Sequence, residues 1–128
     1  MIKGRKLGHI GFAVDCVDEN AKWYKDNMGF EEIARFQDSN GNVYFLKNGN
    51  VIYEMYQCND LTADARGKVD HVAYESSDIE ADFEYCKDQG YTFITNGIES
   101  IPNFWDNGYK YFMFATPAGD RVEIGQIL

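Results

Sequence analysis

Two stretches of the chain carry the same order of apolar and polar positions. Residues 6–30 read KLGHIGFAVDCVDENAKWYKDNMGF, and residues 68–91 read KVDHVAYESSDIEADFEYCKDQGY. Each opens with a half-apolar run of strand character and passes an Asp or Ser suited to a helix start. Apolar residues then recur at i, i+4 and i+7, the spacing of one helix face. They are Val17, Ala21 and Tyr24 in the first copy, and Ile79, Phe83 and Cys86 in the second. Each helix is predicted to stop at a glycine, Gly29 or Gly90, because the left-handed position after a helix favours a residue without Cβ. In this alignment Lys6 falls on Lys68 and His9 on His71.

Strand-like segments follow each helix. In the first copy they are EEIARFQ, NVYFLKN and NVIYEMYQ, separated by SNG and NG turn signals. In the second, YTFITN, YKYFMFAT and RVEIGQIL come in the same order, with PAGD as the tight turn before the last. Each copy therefore reads βαβββ. Module one is expected at about residues 6–57, module two at about 68–128, with the polar linker CNDLTADARG over 58–67 between them. Module two is longer by the insert IESIPNFWDNG. Two copies that each leave an open sheet face pair most simply into one α+β domain spanning 1–128.

Strand alternation decides what lies beside each polar residue. In LGHIGFAV, His9 shares its face with Gly11 and Ala13, while Ile10, Phe12 and Val14 turn toward the helix. In VDHVAYE, His71 shares its face with Val69, Ala73 and Glu75. Small neighbours beside an imidazole leave room for a ligand. The last strand of each module holds a carboxylate inside an apolar run, Glu54 in VIYEMYQ and Glu123 in RVEIGQIL. A half-buried glutamate costs several kcal/mol unless it is paired or coordinated. Taken singly, each of these four residues reads as structural or solvent-facing. Taken together they read differently, because the chain has 2 histidines and both stand at the same repeat position. Two neutral imidazoles and two carboxylates form an N2O2 set that neutralises one divalent ion. Mixed donors of this kind suit Ni, Co, Zn, Mn or Fe better than calcium or a thiolate-type zinc site.

Composition narrows the partners. The formal net charge is −9, so nucleic acid, which needs clustered Lys and Arg, is not expected to bind. No apolar run reaches the ~18–20 residues of a membrane span. The first residues, MIKGRKLGH, have no signal-peptide core, and Cys16, Cys58 and Cys86 form no CxxC spacing. The expectation is a cytoplasmic protein with a small-molecule substrate. Asp18, Glu19 and Glu80 near helix starts read as cap and dipole chemistry. In the segment IPNFWDNGYKY, Phe104, Trp105 and Tyr109 read equally as a stacking surface for a planar ligand or as a loop packing its own aromatics.

From about Lys6 to Leu128 the chain resembles the vicinal oxygen chelate superfamily, which includes glyoxalase I, methylmalonyl-CoA epimerase, extradiol dioxygenases and bleomycin- and fosfomycin-resistance proteins. HIGFAV, WYKDNMGF, VDHVAY and ATPAGDRVEI carry the resemblance. It implies two tandem βαβββ modules forming one eight-stranded cup-like sheet around a metal. It also implies that His9, Glu54, His71 and Glu123 match the His-Glu-His-Glu metal set of glyoxalase I. The activity so implied is that of a metal-dependent lyase or isomerase stabilising an enediolate, with Glu123 or Glu54 as the base, in a homodimer. An epimerase-like isomerase is the alternative, although that pattern usually has Gln where Glu54 stands. A drug-binding or resistance protein that uses the cup without chemistry is the other. The position where glyoxalase I typically has an arginine for a glutathione carboxylate is Ala13 here, with Arg5 or Arg121 as possible substitutes.

Overall fold

A computed structural model describes residues 1–60, 69–115 and 121–128; most of the linker and the PAGD turn lie outside the described residues. The elements run β1 (Leu7–Val14), α1 (Val17–Asn27), β2 (Glu31–Asp38), β3 (Gly41–Asn48), β4 (Val51–Gln57), β5 (Val69–Glu75), α2 (Ile79–Asp88), β6 (Thr92–Phe93), β7 (Glu99–Ile101), β8 (Tyr109–Ala115) and β9 (Arg121–Ile127). This is the expected βαβββ order given twice. The insert adds one short strand, β7, which pairs with β8. The chain divides into two compact units, His9–Asp70 and Met1–Gly8 with His71–Leu128.

In the unit His9–Asp70 the strands lie in the order β2-β3-β4-β1. β3 is antiparallel to both β2 and β4, and β1 pairs with β4 in parallel. One face of this sheet packs on α1. Val14, Val17, Ala21, Phe30, Tyr44, Leu46 and Met55 form its buried core, with Phe12, Tyr24 and Tyr53 against it. The predicted helix face of Val17, Ala21 and Tyr24 is thus the one that packs inward. The parity of β1 holds as well, since Phe12 and Val14 point to the helix.

The other unit repeats the plan with β5-β9-β8-β6. β5 pairs with β9 in parallel, and β8 is antiparallel to β9 and β6. Ile79, Cys86, Phe112, Phe114 and Ile124 make its buried core, with Met1, Phe83, Tyr74 and Val122 packed against it. The segment Met1–Gly8 is tied here by side chains as well as backbone. Glu75 N donates to Lys6 O, and the Arg5 guanidinium forks onto both oxygens of Asp82 at 2.5 and 2.6 Å.

Both helices end as the sequence predicts. Gly29 and Gly90 have φ of 72° and 73°, a region that L residues with a Cβ enter only at a cost. The helix starts are held by residues far along the chain. Val17 N donates to Oε1 of Gln57, and Ile79 N donates to Oε1 of Gln126, each at 3.0 Å. The last strand of each module therefore satisfies an orphan amide at the start of its own helix. In α2, Asp78 adds a side-chain cap by accepting from Ala81 N.

Candidate functional site

The parity that sends one face of each sheet to its helix sends the histidines and glutamates to the other. In the unit His9–Asp70, Gly11 of β1 stands opposite Glu54 of β4. Tyr53 and Met55 pack with the helix core, which leaves Glu54 on the face of His9. His9 Nε2 lies 3.5 Å from Glu54 Oε1. The histidine is 5% exposed, and its ring meets Phe45 edge-on at 5.4 Å between centroids. Gly11 and Ala13 keep the strand surface beside the imidazole low.

The second unit builds the same pair from β5 and β9. Ala73 stands opposite Glu123. Val122 and Ile124 pack with the α2 core, and Glu123 turns to the opposite face. His71 Nε2 lies 3.3 Å from Glu123 Oε2, and both residues are 4% exposed. The other carboxylate oxygen, Oε1, accepts a 2.7 Å hydrogen bond from the Tyr109 hydroxyl.

A divalent cation held between the two donors of a pair would set its own spacing. A charge-assisted imidazolium–carboxylate hydrogen bond would close to about 2.7–2.9 Å. Two donors each about 2.1 Å from one ion stand about 3.0–3.4 Å apart for angles between square and tetrahedral. The His71–Glu123 separation of 3.3 Å falls inside that second range, and the His9–Glu54 separation of 3.5 Å lies just beyond it. The donors are one nitrogen and one oxygen per unit; His9, His71 and Glu123 are buried and Glu54 is half-buried.

The remaining expected residues fall into place as follows. Phe104 and Tyr109 are both buried, and their rings face each other at 6.4 Å. Trp105 between them in sequence is half-buried and has a φ of 58°, an uncommon backbone state for a bulky residue. Asp18 accepts from Asn42 and from the Tyr44 hydroxyl at 2.8 and 2.6 Å, and Glu80 pairs with Lys110 at 2.8 Å. Both carboxylates are therefore engaged in their own unit's framework. Arg5 is committed to Asp82, so it does not substitute for an arginine at Ala13. Burial pushes the Cys86 thiol up to about 11, which removes it as a thiolate nucleophile at neutral pH.

Two features of the strands that carry the glutamates escaped the sequence reading. The Gln57 and Gln126 caps stand three residues after Glu54 and Glu123, so each last strand carries Glu-x-x-Gln. Odd spacing on a strand puts the two residues on opposite faces, the carboxylate toward the histidine and the amide toward the helix. The repeat of that tetrad was the available signal. The Tyr109–Glu123 hydrogen bond left no such trace, because it joins two strands through a side chain.

Comparison with known proteins agrees with the fold. Residues 8–109 match the model of the Glyoxalase/Bleomycin resistance protein/Dioxygenase superfamily. An uncharacterised Bacillus subtilis (strain 168) protein, YwbC, is 26% identical over 127 residues, covering 95% of this chain and 98% of that protein. Among solved structures, a hypothetical protein from Bacillus halodurans C-125 superposes with a TM-score of 0.79 at 19% identity, covering 98% of this chain and 96% of the other. A Streptomyces coelicolor methylmalonyl-CoA epimerase in complex with 2-nitronate-propionyl-CoA gives a TM-score of 0.77 at 18% identity, covering 95% and 94%. At such identities the likeness establishes the fold, which is the glyoxalase/bleomycin-resistance fold expected from the sequence.

Proposed function

Because the chain belongs to the glyoxalase, bleomycin-resistance protein and dioxygenase superfamily, we propose that it is a metal-dependent lyase or isomerase of the glyoxalase I-like type. In this reading each module contributes one histidine and one glutamate, and His9, Glu54, His71 and Glu123 together hold one divalent ion. The observation that carries the reading is the repeated pair. Two His–Glu contacts at 3.5 and 3.3 Å are built by corresponding strands of the two units. A protein that only binds a hydrophobic ligand has no use for two imidazole–carboxylate pairs, one buried and one half-buried, since each costs desolvation that binding alone does not recover.

The bound ion would supply Lewis-acid charge for two neighbouring oxygens of a small substrate. The chain's own contribution is a carboxylate, Glu54 or Glu123, that accepts a proton from the carbon beside a carbonyl and returns it elsewhere. Burial helps here, because excluded water strengthens every charge interaction at the reacting carbon. Gly11, Ala13 and Ala73 keep the strand faces beside the imidazoles free of bulk.

An epimerase-like isomerase is the second reading, and one observation favours it over a glutathione-dependent lyase. Ala13 stands on the His9 face where an arginine would be needed, and Arg5 is bound to Asp82. Both readings move a proton beside a carbonyl. The experiment is incorporation of solvent deuterium into 2-oxo-thiol adducts and 2-substituted acyl thioesters, with the metal-loaded and the chelated protein. Metal-dependent exchange into one substrate class supports the proposal and selects between the readings. No exchange into any of them by protein of verified metal content contradicts it.

A further inference from the structure

The two units differ at one place beside their glutamates. Two residues after Glu54, on the same strand face, stands Tyr56; two residues after Glu123 stands Gly125. The neighbouring strand shows the reverse substitution. Phe45 is opposite Glu54 and Met113 is opposite Glu123, so position 41 of β3 corresponds to position 109 of β8. That position is Gly41 in the first unit and Tyr109 in the second. The tyrosine thus stands on the last strand in the first unit and on the strand before it in the second.

The consequence is specific to Glu123. Tyr109 is opposite Ile127, yet its hydroxyl reaches back along β9 to Oε1 of Glu123 at 2.7 Å. It does so by lying over Gly125. A Cβ on Gly125 would fall 1.7 Å from the hydroxyl and 2.3 Å from Cζ, far inside contact distance. Only glycine at 125 lets the ring take this path. Tyr109 is held in turn by Phe104 on one side and by Tyr111, stacked at 6.1 Å with planes 22° apart. In the first unit the tyrosine that stands where Gly125 does in the second, Tyr56, hydrogen-bonds Asp70 instead, and burial together with that carboxylate holds its phenol far above the usual range.

We propose that Tyr109 is a positioning residue that assigns the two oxygens of Glu123, with Gly125 as the space it requires. The hydroxyl occupies Oε1, so Oε2, the oxygen facing His71, is the one presented to a metal. Glu123 is thereby set to ligate through one oxygen. This inference rests on the metal reading above, and it names a residue whose job differs from stacking on a substrate.

The test uses cobalt(II) with the full chain, in wild type, Tyr109→Phe, Gly125→Ala and Tyr111→Phe. Tyr111 donates to Glu99 at 2.9 Å, so its variant removes a hydroxyl from the same strand without touching Glu123. Partners of metal ligands typically contribute 10–100-fold in affinity. The expected result is cobalt affinity about 10–100-fold weaker in Tyr109→Phe, with altered visible d–d bands as Glu123 changes its mode of ligation, and no change in Tyr111→Phe. Gly125→Ala should reproduce the Tyr109→Phe spectrum if it folds. Wild-type affinity and bands in Tyr109→Phe overturn the assignment while leaving the metal reading intact. Wild-type protein that binds no cobalt overturns both.

Discussion

Replacing Arg5 with Met removes a guanidinium from one of the most buried carboxylates outside the histidine faces. Asp82 is 7% exposed and accepts from Arg5 on both oxygens and from Ser76 Oγ at 2.6 Å. Burial opposes its ionisation, but the Arg5 and Ser76 hydrogen bonds outweigh it and hold the carboxyl below the usual carboxylate range. Loss of a partly buried charge-assisted fork should cost about 2–3 kcal/mol, since Ser76 and the first turn of α2 still support the anion. For a domain of this size that is a fall in Tm of about 6–12 °C.

The pH dependence has a definite sign. In the wild type the depressed folded pKa gives stability that is present above the unfolded value, near 4, and is lost as pH falls through the folded one. In Arg5→Met the same carboxyl is buried without its partner, so its folded pKa rises and the penalty is relieved as acid neutralises it. The gap between wild type and variant should therefore be widest near pH 7 and shrink toward pH 4. Urea titrations across that range measure it. A gap below about 0.5 kcal/mol at pH 7, the size of an ordinary surface substitution, would refute the reasoning, as would one that widens in acid.

Three further outcomes are expected. Gln57→Leu and Gln126→Leu should each cost about 1 kcal/mol by orphaning a helix-start amide, and a variant as stable as wild type in urea would show the cap contributes nothing. Turnover of the methylglyoxal–glutathione adduct should stay well below the ordinary enzyme range of about 10⁴–10⁸ M⁻¹s⁻¹ across Ni, Co, Zn and Mn, because Ala13 offers no charge-assisted contact to a glutathione carboxylate. A kcat/KM within that range would restore a glutathione-dependent lyase. Trp105→Ala should weaken substrate-analogue affinity about tenfold, or about 1.4 kcal/mol, if the indole lines the ligand pocket, and an unchanged Kd would leave it as loop packing.

Periodicity made most of the framework readable. Period-two alternation in LGHIGFAV and VDHVAYE separated helix-facing residues from histidine-facing ones, and the contacts of Phe12, Val14 and Tyr74 follow it. The helix faces and terminal glycines were readable for the same reason, since each is set by local spacing. Side chains that reach across strands were not. Tyr109 read equally as a ligand-stacking or a packing aromatic because it closes the aromatic segment IPNFWDNGYKY, and no local rule reports that its hydroxyl ends on Glu123. Nor does spacing reveal that Arg5 joins Asp82, 77 positions away. The short strand β7 escaped because ESI is only three residues, too few for any period to declare itself.

The central claim is that one histidine–glutamate pair from each module serves a single ion, and metal stoichiometry tests it most directly. Purified chain should hold one divalent transition-metal ion per copy, measured by elemental analysis with protein concentration from amino-acid content. His9→Ala in one unit and His71→Ala in the other should each abolish tight binding, because either leaves an incomplete set. Acid should release the ion as the imidazoles protonate. Two ions per chain, with each histidine variant losing only one, would contradict the account and make the pairs separate sites.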